Sequence, residues 1–475
     1  MVRFFFSREK VSHLMRTVSS KWNIYSPDFV PPRGFQYHGT STTQPQKEYA
    51  FEMACSSVRY GEGATQEVGK DFRNLGSKLI CVMTDKGVLK TRAVKVALQS
   101  LEDQNLKYKL FTDVKVEPSD ESFKTAIDFV KQDNFDAFLA IGGGSTMDTC
   151  KAANLYSSDP SADFLDYVNA PIGKGLPITI SVKPLIAIPT TTGTGSETTG
   201  TAVFGFDKLK AKTGISNRSL RPTLGILDPL NVVSQPERVV AYSGLDILGH
   251  ALESYTALPY YERAPRASSP ELRPAYQGSN PISDVWSQAA LQVCDKYLQR
   301  AVDNQDDLEA ISNLQLASSF AAVGFGNAGV HLCHAISYPI AGLVRDYQAE
   351  GYPTDKPIIP HGLSVIITSP AVFSATAMSC PQRHLNGASF LGVDISNKKA
   401  SDAGAILSDK LRSICQSLRV PNGLKALGYT EEDIPAMVKG TLPQHRVTKL
   451  SPLQQSDEEL AETLADIIKN SMTIY

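Results

Sequence analysis

The 475-residue chain is poor in several features, and each shortage excludes a class of protein. No apolar run approaches the ~18 residues that span a bilayer; the greasiest stretches, such as Val365 to Phe373, are broken by Ser, Thr and Pro. There is no excess of either charge. Forty-seven basic residues against 49 acidic ones leave −2, so nothing global points to nucleic acid or an anionic membrane surface. Cysteine is scarce: seven residues, odd in number, scattered from Cys55 to Cys415 and never spaced C-x-x-C. That pattern excludes a disulfide framework and points to a reducing compartment. With 42% hydrophobic and 20% charged residues, the composition is that of a folded protein rather than a disordered or fibrous one. At 51.6 kDa the chain is too long for one core and predicts two or three domains.

Acid is nearly absent from the N-terminus. Residues 1–27 carry Arg3, Arg8, Lys10, Arg16 and Lys21 with five Ser, and Glu9 is the lone acid. Phe4, Phe5, Phe6, Val11, Leu14, Met15 and Val18 supply an apolar face, which makes the segment read as a mitochondrial transit peptide. The Pro- and polar-rich stretch from 28 to 48 reads as a linker.

From about residue 49 to 236, short apolar runs alternate with helical patterns. Lys78–Met83, Tyr108–Val114, Asp136–Ile141 and Leu185–Ile188 read as strands, and the stretches through Gln99 and from Ser119 to Lys131 as helices. That alternation predicts a parallel sheet covered by helices, with ligands at the carboxyl ends of its strands. From 237 to 475 the texture changes. Gly244–Ala257, Ser283–Ala301, Asp306–Gly324, Ser401–Leu418 and Asp457–Ile474 have helical spacing without a convincing strand, so this half reads as all-α. Pro259–Pro281 and Asp346–Pro360 read as inserted loops, of a length that is more often functional than idle.

Two loops suit a nucleotide. Gly142-Gly143-Gly144-Ser145 ends one strand and opens a helix, where backbone N–H groups and the helix dipole can meet an anion. Pro189-Thr-Thr-Thr-Gly-Thr-Gly-Ser-Glu197 follows the next strand. Asp85, where the first strand ends, is placed to accept from a ribose hydroxyl and to repel a 2′-phosphate, which favours NAD over NADP. A glycine-rich turn alone is more often only a tight turn.

Among the eight His, four stand in motif-like settings in the helical half. Asp246 and His250 are spaced i, i+4, on one helix face, where they could share a cation or simply bond each other. His331 and His334 sit in the apolar segment Gly329–Pro339, where core histidines are common, and His361 lies between Pro360 and Gly362. Asp246, His250, His334 and His361 would together offer one carboxylate and three imidazoles, a set suited to Fe²⁺ or Zn²⁺ with a position left for substrate.

The motifs GGGSTMDTCK, PTTTGTGSE, GLDILGHALESY, HLCHAISYP and PHG resemble, in order and setting, the iron-containing (group III) alcohol dehydrogenase family, from about residue 55 to the C-terminus. The resemblance implies an α/β dinucleotide-binding domain of dehydroquinate synthase-like type and an all-helical metal-binding domain, with the active site between them. It implies that Asp246, His250, His334 and His361 hold the metal. It also places Gly142, Gly143, Gly144, Ser145, Asp148, Thr190, Thr191 and Thr194 on the loops that bind NAD, with Lys212 near the nucleotide. Family members commonly carry H-x-x-x-H where this chain has His334-Ala-Ile-Ser-Tyr338. That Tyr, the two inserts and the presequence resemble the mitochondrial hydroxyacid–oxoacid transhydrogenase branch. The branch oxidises 4-hydroxybutyrate to succinate semialdehyde while reducing 2-oxoglutarate to 2-hydroxyglutarate on one nicotinamide. Tyr338 and His331 are then the candidates for moving the proton, and Arg263, Arg266, Arg273 and Arg345, in or beside the inserts, for meeting a substrate carboxylate. The alternative is an NAD-dependent alcohol dehydrogenase that releases its cofactor. A lyase of the dehydroquinate synthase type has different motifs around its metal. The state of assembly, homo-oligomer included, stays open.

Overall fold

The computed structural model describes residues 45–206, 211–352, 354 and 356–475. The basic N-terminal segment, most of the linker and the stretch 207–210 before Lys212 lie outside the described residues.

Six parallel strands form the main sheet: β1 (Ser57–Tyr60), β2 (Leu79–Met83), β3 (Lys107–Phe111), β4 (Ala137–Gly142), β5 (Leu185–Pro189) and β8 (Leu224–Leu227), in the order β1-β8-β5-β4-β2-β3. The central strands β4 and β5 are buried along their whole length, which is why they read as unbroken apolar runs. The edge strand β3 alternates exposed and covered residues. Its parallel pairing stops at Phe111 opposite Met83, three residues short of the predicted Val114, and beyond it only an isolated bridge joins Asp85 to Asp113. An antiparallel hairpin, β6 (Thr201–Phe206) and β7 (Ala211–Ser216), stands apart from the sheet. The sequence reading missed the hairpin, β1 and β8, since runs of only four to six residues are too short to show a clear period.

Helices α1 (Val68–Asn74), α2 (Arg92–Asp103), α3 (Asp120–Val130) and α4 (Gly144–Ser158) accompany the sheet. The second half contains α5 (Glu237–Thr256), α6 (Pro281–Asp303), α7 (Leu308–Ala328), α8 (Leu332–Gly342), α9 (His361–Ile366), α10 (Ser369–Thr376), α11 (Pro381–Phe390), α12 (Ala403–Ser417), α13 (Ile434–Thr441), α14 (His445–Thr448) and α15 (Asp457–Asn470). Among the described residues no strand occurs after Leu227. The last helix stops at Asn470 rather than Ile474, because Ser471 and Met472 leave it to accept bonds from Leu424 and Lys425. We propose Pro236, at the start of α5, as the boundary between the two halves. The N-terminal stretch does not respect it: Glu52 and Ala54 bond Gln277 and Asn327 in the helical half.

No single helix among the described residues is long and apolar enough to cross a membrane. The bent pair α7 and α8 matches only by composition, and both helices lie in the core. All seven cysteines are free thiols.

Candidate active site

Helix α5 runs through the core of the helical half and presents Asp246, His250 and Glu253 at i, i+4 and i+7, one face of the helix. The chain turns by 102° between α7 and α8, which puts His334 in the first turn of α8. Pro360 ends the second insert in extended backbone, and α9 begins at His361. Gly362 lets α9 lie directly on α5: a Cβ there would sit 1.9 Å from the Tyr242 carbonyl oxygen.

Four residues from three helices converge as a result. Asp246 Oδ1 lies 3.8 Å from His250 Nε2, 3.6 Å from His334 Nε2 and 3.8 Å from His361 Nε2. The donor atoms all fall within 4.8 Å of one another. A tetrahedral ion with ligands at ~2.1 Å separates them by about 3.4 Å, so the cluster matches a coordination shell. Two of its atoms, Asp246 Oδ1 and His334 Nε2, are buried without any hydrogen bond. Leaving such atoms unpaired costs about 1–3 kcal/mol each, which a shared cation would repay. By donor chemistry and by these orphaned atoms the residues fit a divalent metal.

Glu253 completes the arrangement. Its carboxylate bonds His334 Nδ1, accepts from the Cys333 amide and lies 3.3 Å from His331 Nδ1. A carboxylate behind a histidine fixes the ring so that Nε2 faces a metal. The sequence reading did not name Glu253, although its i+7 spacing from Asp246 was legible. His331 is fully buried, with Nε2 2.9 Å from Thr256 Oγ1. It stands behind Glu253 and does not line the cleft.

Burial alone would raise the Asp246 carboxyl, but the His250, His361 and His334 rings outweigh it and hold it far below the usual range. Burial pushes His250 down to about 3 and His361 down to about 4, so both rings are neutral and have free lone pairs at physiological pH. His334 differs: burial opposes its charge, yet Glu253 and Asp246 prevail and raise it to about 9. A metal must therefore displace a proton from this ring. We expect metal loading at pH 7 to release about one proton, with apparent affinity rising about tenfold per pH unit up to about pH 9 and levelling off above it. Calorimetric titration in buffers of different ionisation enthalpy measures both quantities. In Glu253→Gln the charge that raises the ring is lost, so the released proton diminishes and affinity falls ~10–100-fold.

One cleft, with a volume of about 130 Å³, joins this cluster to the nucleotide-type loops, lined on one side by Gly144, Ser145, Asp148 and Thr194 and on the other by Asp246, His250, His334 and His361. Gly144 is required by close approach, since a Cβ would come 2.7 Å from Thr194. Gly142 accepts from the Thr190 amide, and Thr191 packs on Gly143, which knits the two loops together. Gly142, Gly143, Thr190 and Thr191 are not among the residues that line the cleft. Asp148 is committed to the protein: Ser196 Oγ donates to one oxygen (2.8 Å) and the Val203 amide to the other (2.9 Å), which staples α4 to β6. Asp85 lies outside the cleft, where its Oδ1 accepts from the Gly87 and Val88 amides.

Lys212 lines the cleft but is ion-paired with Glu117, a residue held at φ 54 that the sequence did not reveal. Tyr338, one helical turn after His334, also lines it, and its hydroxyl accepts from Arg446 at 2.6 Å. The four arginines in or beside the inserts do not reach it. Arg263 uses its carbonyl to accept from Glu48, Arg266 lies over Tyr49, Arg273 is 3.5 Å from Glu48 and Arg345 pairs with Asp433. The guanidinium in the cleft is that of Arg446, from α14.

A parallel α/β sheet whose glycine turn shares one cleft with an acid-and-three-imidazole cluster is an arrangement suited to a dinucleotide beside a divalent metal. The iron-containing alcohol dehydrogenase model matches residues 55–229, and the C-terminal model of the Fe-containing alcohol dehydrogenase family matches residues 275–468. The chain belongs to the iron-containing alcohol dehydrogenase family, oxidoreductases that act on CH–OH groups. It is 57% identical over 468 residues to a protein of Xenopus tropicalis named hydroxyacid-oxoacid transhydrogenase, mitochondrial, covering 98% of this chain and 99% of that one. The protein of the same name from Homo sapiens is 56% identical over 472 residues, covering 99% of each. Among solved structures, a 1,3-propanediol oxidoreductase superimposes with TM-score 0.76 at 24% identity, over 89% of this chain and 100% of that one. An NADH-dependent butanol dehydrogenase A of Thermotoga maritima gives 0.71 at 22%, over 90% and 99%. At that identity the two structures speak for the fold alone.

Proposed function

We propose that the chain is a mitochondrial hydroxyacid–oxoacid transhydrogenase. It oxidises 4-hydroxybutyrate to succinate semialdehyde and returns the hydride to 2-oxoglutarate, giving 2-hydroxyglutarate, on one retained nicotinamide. The observation that carries this reading is the single cleft shared by the glycine-rich turn and the Asp246 cluster. The end-to-end likeness to transhydrogenases narrows the chemistry. The Arg-rich, acid-poor N-terminus and the relatives' names support the mitochondrion.

In this reading Asp246, His250, His334 and His361 hold Fe²⁺ or Zn²⁺. Gly142, Gly143, Gly144, Ser145, Thr190, Thr191 and Thr194 hold NAD, with Lys212 beside them, while Asp148 braces the glycine turn against β6 and Asp85 stays outside the cleft. When bound, the cation polarises the substrate oxygen and the nicotinamide exchanges hydride with the reacting carbon. Glu253 keeps the His334 ring in the tautomer that ligates. Burial raises the Tyr338 hydroxyl pKa against the opposing pull of Arg446, so the phenol keeps its proton at neutral pH. Arg446 occupies one of its lone pairs, which leaves that proton free to serve the cleft. His331, one layer back, orients Glu253.

The test is a coupled assay on metal-reconstituted protein with 4-hydroxybutyrate and 2-oxoglutarate but no added NAD. Equal amounts of succinate semialdehyde and 2-hydroxyglutarate over many turnovers are expected. Turnover that requires added NAD would instead mark a dehydrogenase with an exchangeable cofactor.

A further inference from the structure

The cleft contains a charge that the protein leaves unanswered. Of its two cations, Lys212 is neutralised by Glu117. Arg446 has no acidic partner among the described residues: its Nη2 donates to the neutral Tyr338 hydroxyl, and its Cζ lies 5.1 Å from the Tyr276 ring centroid. An arginine sheltered in a cleft without a carboxylate is costly unless an anion arrives to pair with it. Its planar fork matches a carboxylate bidentately, which a lysine cannot do.

The position of Arg446 is set independently of any ligand. Helix α14 is moored by Gln444, whose side chain donates to the Lys212 carbonyl (3.3 Å), and by Val447, buried in the cluster with Tyr276, Phe325 and Tyr338. Tyr338 follows His334 by one turn on α8, so the guanidinium it touches lies close to the metal cluster, on the same face.

Resting on the function proposed above, we infer that Arg446 is the substrate-carboxylate site for both half-reactions. The two acids share the necessary geometry. In 4-hydroxybutyrate two methylenes separate the carboxylate from the carbinol carbon; in 2-oxoglutarate two methylenes separate the distal carboxylate from the keto carbon. A fixed guanidinium beside a fixed reacting position therefore accepts either molecule in turn, and selects acids with that spacer over shorter acids and over neutral alcohols.

The experiment compares kcat/KM for 4-hydroxybutyrate with that for 1,4-butanediol, which has the same hydroxyl but no charge, in the wild type, Arg446→Gln and Arg446→Lys. Bound metal is measured on each protein as a control of folding. The wild type should prefer the acid, and Arg446→Gln should lower the acid-to-diol ratio by about 10²-fold, with Arg446→Lys in between. An unchanged ratio in Arg446→Gln, or equal losses on both substrates, overturns the inference and leaves the transhydrogenase reading intact. A wild type that oxidises the diol but not 4-hydroxybutyrate overturns that reading and this inference with it.

Discussion

Asp246→Asn should remove the bound metal and lower kcat/KM in the coupled assay by at least ~10³-fold, since Lewis-acid polarisation contributes several kcal/mol and each ~1.4 kcal/mol is a factor of ten. Asp246 Oδ1 is the hub of the cluster, within 3.8 Å of all three histidine Nε2 atoms, and it is the only anionic donor among them. Asn preserves the shape and packing of the side chain, so the helix should survive while the charge that holds a dication does not. The change also removes part of what keeps His334 protonated, a smaller effect of opposite sign. Metal content by elemental analysis, beside kcat/KM, checks the outcome. A variant that retained one equivalent of metal and near-normal turnover would remove the cluster from the mechanism.

The second large effect is expected from one methyl group. Gly362→Ala puts a Cβ 1.9 Å from the Tyr242 carbonyl oxygen and 3.1 Å from Asp246 Cβ. Both neighbours belong to α5, whose backbone cannot yield locally, so α9 must move away and carry His361 with it. Overpacking of this kind costs ~1–3 kcal/mol of stability. Loss of one imidazole from the set should weaken metal binding by about 10²-fold, with a lower melting temperature in both the metal-free and metal-loaded protein. Equal metal affinity in the variant and the wild type would show that α9 has slack the geometry does not reveal.

This second case also marks where sequence reasoning stopped. The motif Pro360-His361-Gly362 is visible in the sequence as a histidine between a proline and a glycine. The glycine proves to be required by a close approach of two helices, which no local pattern records. The same holds on α5. The spacing of Asp246 and His250 was legible as one face, whereas Glu253 became meaningful only once His334 had been brought against it from 81 residues away. The arginines went wrong for a related reason. Charge in an inserted loop is conspicuous in a sequence, but Arg273 and Arg345 are spent on Glu48 and Asp433. Arg446, in a one-turn helix with no motif around it, reaches the cleft.

The buried runs of β2, β4 and β5, the shift from alternating to helical texture near Pro236, the glycine turn and the four metal-type side chains were all determined by local composition and period. Each depends on neighbours within a few turns of chain, and such information is carried in one dimension. Only the tertiary structure decided which charges are paired and which are left open to a ligand. Pairing is a property of distance between segments far apart in sequence, and it separates Lys212 from Arg446, and Glu253 from the other acids of the helical half.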